Sequence, residues 1–133
     1  MSKINRLKNA NEFIAVIANC GRRFFEHEGF VSTLELSPTG RVFFIDYYTK
    51  KRIYTHRKYC QWDGFTSGGT MKMIVEMLRD FVTKGETMTS TYFQPEMRNG
   101  FKNPWGYGED ILIVRDAAIR LGIAQNPELI GDK

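Results

Sequence analysis

Val31-Ser32-Thr33-Leu34-Glu35-Leu36-Ser37-Pro38-Thr39-Gly40-Arg41-Val42-Phe43-Phe44-Ile45-Asp46-Tyr47-Tyr48-Thr49-Lys50-Lys51-Arg52-Ile53-Tyr54-Thr55-His56-Arg57 decides the fold of this chain. Its three runs, Val31 to Leu36, Arg41 to Tyr48 and Arg52 to Arg57, are rich in β-branched and aromatic side chains, which pack well on a pleated surface. Pro38 suits the second position of a β-turn and Gly40 its end, and Thr49-Lys50-Lys51 separates the second run from the third. Connections this short join antiparallel neighbours, so the segment predicts a three-stranded meander. In the middle run Val42, Phe44, Asp46 and Tyr48 share one face, and Arg41, Phe43, Ile45 and Tyr47 share the other. Both faces are largely apolar, which places this strand at the centre with a helix over at least one side. In the third run Arg52, Tyr54 and His56 form a polar and aromatic row.

Working outward, the flanking segments carry helical periodicity. Phe13, Ile14, Ile17, Cys20 or Gly21, and Phe24 recur at helical spacing in a segment that Asn9 or Asn11 can cap, running to about Glu26 with Gly29 as its stop. Gly21 in its middle costs about 1 kcal/mol against alanine, so the helix bends there or another backbone packs closely. After the meander, Met71, Ile74, Val75, Leu78, Phe81 and Val82 form a second amphipathic helix ended by Gly85, with Met73 and Met77 broadening its stripe. Thr87 to Phe93 reads as a short edge strand, and about 94–108 as a long loop. Glu109 to Leu121 forms a third helix, with Ile111, Val114 or Arg115, Ala118 and Leu121 inward, and about 126–133 a flexible tail. The expected architecture is a single α+β domain of about three helices packed with the three-stranded meander.

The 133 residues suffice for one hydrophobic core, and 42% hydrophobic with 14% aromatic residues excludes a disordered chain. A net charge of +4 tolerates a phosphate-bearing partner without indicating duplex binding. Cys20 and Cys60 have neither zinc-site spacing nor enough companions for a disulfide framework, and read as buried small hydrophobes. No apolar run approaches the roughly 20 residues of a membrane span. The expectation is a soluble, cytoplasmic protein with no cofactor and no metal. So many rings on a thin sheet-and-helix domain also point to an apolar patch and a homo-oligomer.

Between the meander and the second helix lies Trp62-Asp63-Gly64-Phe65-Thr66-Ser67-Gly68-Gly69-Thr70. A glycine-rich, hydroxyl-bearing loop opening a helix presents unpaired N–H groups and the positive end of a helix dipole, and so can hold an anion. Lys72 follows with no acid until Glu76, which leaves room for a negative partner. Simple capping by Ser67 or Thr70 explains the same residues, and the spacing is not that of a nucleotide-binding phosphate loop. The later loop Pro104-Trp105-Gly106-Tyr107-Gly108 runs into Glu109 and Asp110, which would repel a phosphate.

For catalysis the sequence offers only His27 and His56 as bases near neutral pH, and neither sits in a recognisable catalytic motif. Asp46 and His56 can meet across a hairpin, yet no nucleophile accompanies them. The chain is read as a non-enzymatic binding protein with no catalytic residues.

Arg41 to His56, then Trp62 to Thr70 and the later Trp105-Gly106-Tyr107-Gly108, carry a resemblance. They resemble a group of small uncharacterised bacteriophage and prophage proteins, over roughly residues 9 to 121. The resemblance implies a setting in the host cytoplasm and an accessory role toward host defence or host nucleic acid; it transfers no catalytic residues. Together these readings give an anti-defence protein binding a phosphate-bearing ligand such as a nucleotide signal. Arg52, Tyr54, His56, Trp62 and Phe65 would stack and charge-pair, and Thr66, Ser67, Gly68, Gly69, Thr70 and Lys72 would hold phosphate. A nucleic-acid-binding protein and a protein inhibitor of a host defence factor are the alternatives.

Overall fold

A computed structural model of the chain describes residues 1–20, 25–56, 68–89 and 110–125. The first helix, α1 (Lys3–Asn19), starts earlier than the sequence pattern suggests, because Ser2 caps it and accepts the Asn5 N–H at 3.1 Å. Its buried residues Ala10, Phe13, Ile14, Ile17 and Ala18 follow the three-and-four spacing of one helical face. The two asparagines expected as caps reach into the tertiary structure instead. Asn9 donates to the Leu121 carbonyl at 3.0 Å, and Asn11 both accepts from the Leu34 N–H at 2.7 Å and donates to the Leu34 carbonyl at 3.0 Å.

The helix also ends earlier than expected, with Cys20 in extended conformation as its C-cap. Glu26, read as the helix end, belongs to a hairpin, β1 (Glu26–His27) with β2 (Phe30–Val31). The two residues between these strands, Glu28 and Gly29, have φ of 51° and 85°. Positive φ at both central residues is the type I′ geometry whose twist matches a two-residue hairpin. Gly29 therefore serves a β-turn and not a helix stop. Gly21 lies outside the described residues.

The meander forms as expected from β3 (Thr33–Leu36), β4 (Val42–Asp46) and β5 (Lys51–Tyr54), in the order β3-β4-β5. Leu34 pairs with Phe44 and Phe44 with Ile53, so one face collects Leu34, Val42, Phe44 and Ile53, all buried. β4 is shorter than the run Arg41 to Tyr48 because polar turns take its ends, whereas Val31, read into the first run, pairs in β2, and β5 begins at Lys51, read as part of the turn. Ser37 accepts the Gly40 N–H on its carbonyl and the Arg41 N–H on its hydroxyl, and Gly40 takes φ of 83°. At the other turn the buried Asp46 accepts the Tyr48 N–H at 3.1 Å and the Thr49 hydroxyl at 2.7 Å. A carboxylate turned on its own following residues explains a buried acid on an apolar face.

Helix α2 (Gly68–Lys84) buries Ile74, Val75, Leu78, Phe81 and Val82 against the same core. Gly85, at φ of 75°, returns its N–H to the Phe81 carbonyl and closes the helix in the left-handed manner expected. Met77 packs at the core margin, whereas Met73 is exposed and not part of the stripe. Helix α3 (Asp110–Arg120) buries Ile111, Val114, Ala117 and Ala118. Of the edge strand expected after α2, the described residues show β6 (Met88–Thr89), which pairs in parallel with β7 (Ala124–Gln125). Residues 90–93, the loop 94–108 and the tail 126–133 lie outside the described residues. The result is an α+β architecture with the helices on the buried side of the three-stranded sheet.

The Asn11 contact is where helix and sheet are tied by polar groups. Replacing Asn11 with alanine leaves both Leu34 backbone groups without that partner. The expected cost is about 1–3 kcal/mol, seen as a lower urea midpoint with an unchanged slope, while Asn11→Asp, which keeps the acceptor alone, falls between the two.

Candidate functional site

The pleat of the meander turns its remaining side chains to the face opposite the helices. On that outer face stand Thr33 and Glu35 of β3, Phe43 and Ile45 of β4, and Arg52 and Tyr54 of β5. The register sets Glu35 beside Phe43 and Phe43 beside Tyr54, a continuous cross-strand row. The Phe43 and Tyr54 rings lie 5.4 Å apart, and Tyr54 and His56 are again 5.4 Å apart. The Arg52 guanidinium lies over Phe43, with Cζ 3.5 Å from the ring centroid. Its Nε and Nη2 each stand 2.7 Å from one oxygen of Glu35.

A second group of rings sits at the other end of β4, where the β1–β2 hairpin meets the turn after Asp46. Phe30 stacks on Tyr47 with centroids 5.5 Å apart and planes 16° apart, and Lys50 lies 5.6 Å from the Tyr47 centroid. His27 meets Tyr48 edge-on at 5.0 Å. Even with these contacts Phe30 is 57% and Tyr48 60% exposed.

His56 is held by the backbone. Its Nε2 accepts the Val42 N–H at 2.9 Å, while Thr55 gives its N–H and hydroxyl to the Val42 carbonyl and Arg79 donates to the Thr55 carbonyl. Burial, followed by the positive charges of Arg79 and Arg41 and then Lys84, with Asp80 opposing, pushes the His56 imidazole below its usual 6.5. It is therefore a neutral acceptor near neutral pH. The dyad with Asp46 does not form: Asp46 opposes Lys51 at one end of the β4–β5 pair and His56 meets Val42 at the other, about 13 Å along the strand.

Of the residues read from sequence, Arg52, Tyr54 and His56 are thus brought together on one face. Phe43 and Glu35 join them unanticipated, and Tyr47 and Phe30 form the separate group at the other end of β4. The first three were legible as alternating partners once the register was known; Phe30 depended on the hairpin at Glu28-Gly29. Gly68, Gly69 and Thr70 form the first turn of α2, which carries no acid. Trp62, Phe65, Thr66 and Ser67 lie outside the described residues. Lys72 lies on α2, with Nζ 4.0 Å from Glu76 one turn on, and Arg52 lies on β5.

No helix among the described residues is long and apolar enough to cross a membrane. A family model described as YoqU matches residues 1–129. The chain belongs to the YoqU family. A relative, the SPbeta prophage-derived uncharacterized protein YoqU of Bacillus subtilis (strain 168), is 26% identical over 125 residues, covering 92% of this chain and 85% of its own. The match agrees with the resemblance to phage and prophage proteins carried by Arg41 to His56. No solved structure matches the chain significantly. The α+β arrangement of this YoqU-family chain therefore rests on its own geometry.

The His56 contact has a signed pH dependence. Its imidazole binds a proton more weakly folded than unfolded, so its contribution is complete above 6.5 and is lost as pH falls below that value toward the lowered folded-state value. Urea midpoints measured from about pH 8 to 5 should fall at the acid end, and His56→Gln should flatten this part of the profile.

Proposed function

We propose that this protein binds single-stranded nucleic acid across the outer face of its meander. The carrying observation is the row Phe43, Tyr54 and His56 with Arg52 laid on Phe43. Successive rings on an open sheet supply stacking positions for successive bases, and every base has a face to stack. Arg41, whose charge reaches His56, and Lys50, over the Tyr47 ring, would supply positive charge for a backbone. The setting is that of a phage accessory factor, supported by the prophage-derived relative, and its target would be nucleic acid inside the host.

A free nucleotide signal, the ligand expected of an anti-defence factor, is the second reading. It draws support from the acid-free first turn of α2 with Lys72 close behind. A mononucleotide usually occupies a concave pocket, whereas the ring row is a strip on a sheet face, which favours the polymer.

Anisotropy titration of a labelled oligothymidine about twelve nucleotides long separates the two readings. Polymer binding predicts affinity that grows with length and drops steeply with salt. Phe43→Ala and Tyr54→Ala should each weaken it by about 1–3 kcal/mol, roughly 5- to 150-fold, with melting temperatures confirming that both variants fold. Equal affinity for a mononucleotide and the oligomer would refute the polymer reading.

A further inference from the structure

We infer that Glu35 determines what this face accepts: its carboxylate occupies the edge of Arg52 that a phosphate would take, so a strand binds there by exchanging phosphate for Glu35. The inference rests on the nucleic-acid reading above. One flat side of the Arg52 guanidinium is covered by Phe43 at 3.5 Å, and its Nε and Nη2 both point to a single Glu35 oxygen at 2.7 Å. Nε and Nη2 form the donor edge that carboxylates and phosphates use alike. Stacking on Phe43 fixes the plane of that edge, so an incoming phosphate must come to the place that the carboxylate holds.

Several features make the exchange accessible. Arg52 and Glu35 are 49% and 50% exposed, and ion pairs between half-exposed side chains are weak and screened by salt. Glu35 is the one acid among the six outward-facing strand residues, Thr33, Glu35, Phe43, Ile45, Arg52 and Tyr54. The partner residues it opposes, Phe43 and through it Tyr54, need no carboxylate for their packing. A single phosphate gains little by displacing one carboxylate with another anion. A strand whose bases stack on Tyr54 and the neighbouring rings adds contacts that Glu35 cannot supply, and so the pair discriminates against isolated phosphates and mononucleotides.

Glu35→Gln removes the charge and keeps the shape, at a half-exposed position where folding is readily checked by the melting temperature. Affinity for the twelve-nucleotide oligothymidine, by anisotropy, should tighten about three- to tenfold, and its salt dependence should steepen. In an Arg52→Ala background the gain should disappear, because the residue being competed for is gone. Weaker binding by Glu35→Gln would show that the carboxylate holds Arg52 for the ligand and would overturn the exchange. A gain that persists without Arg52 would reduce the effect to general repulsion and also overturn it. If the wild type binds in a Phe43-dependent way but Glu35→Gln changes nothing, this inference fails alone; if neither protein binds the oligomer, it fails together with the nucleic-acid reading.

Discussion

Asn11 places one side-chain amide against both backbone groups of Leu34, and the sheet is oriented by that contact. Leu34 lies on β3, an edge strand whose outward N–H and C=O would otherwise face α1 unpaired. The amide completes them as a neighbouring strand would, and Phe25 does the same for the N–H of Ser32. Polar residues on α1 extend the principle to the other helices. Arg6 donates to the Val82 carbonyl near the end of α2, and Asn9 to the Leu121 carbonyl just past α3. Those are carbonyls at helix ends, where intrahelical donors run out. One helix thus contributes a buried apolar stripe and the hydrogen bonds that register its neighbours around it.

That arrangement gathers the helices on one side of a thin sheet and dictates the character of the other. With Leu34, Val42, Phe44 and Ile53 committed to the core, strand alternation turns Glu35, Phe43, Arg52 and Tyr54 outward. Rings that cannot be buried pack on each other and under a cation, which covers part of their apolar area while keeping the guanidinium in water. The outer face is consequently both a set of cross-strand contacts and a surface fit for stacking. The neutral imidazole of His56 accepts the Val42 N–H in place of a strand carbonyl, and burial first, then the charges of Arg79 and Arg41, disfavours its protonated form.

Much of this was legible because it depends on local periodicity. Residues alternating in β4, the turn chemistry of Pro38 and Gly40, and the stripe from Ile74 to Val82 each announce themselves within a few residues. What misled was equally local. Asn9 and Asn11 are good helix caps, and Gly29 is a good helix stop, when only their neighbours are considered. Their roles here come from partners far along the chain, Leu121 and Leu34, and from a type I′ turn that Phe30 and Val31 complete. The row Arg52, Tyr54 and His56 was visible as a row, but its electrostatics were not, because Glu35 is 17 positions from Arg52 and Arg79 is 23 from His56.

By itself the amino-acid sequence determined the three-stranded meander, the amphipathic helices that cover it and the alternation that separates a core face from an aromatic one. These follow from steric preferences and side-chain periods that act over one or two turns of chain. Tertiary structure alone decided which polar groups are already spoken for. It set Glu35 on Arg52, turned Asp46 into its own loop, made His56 an acceptor and set Lys72 beside Glu76. Charges and hydrogen-bond donors find partners through space, and their chemistry is settled only when the strands are in register.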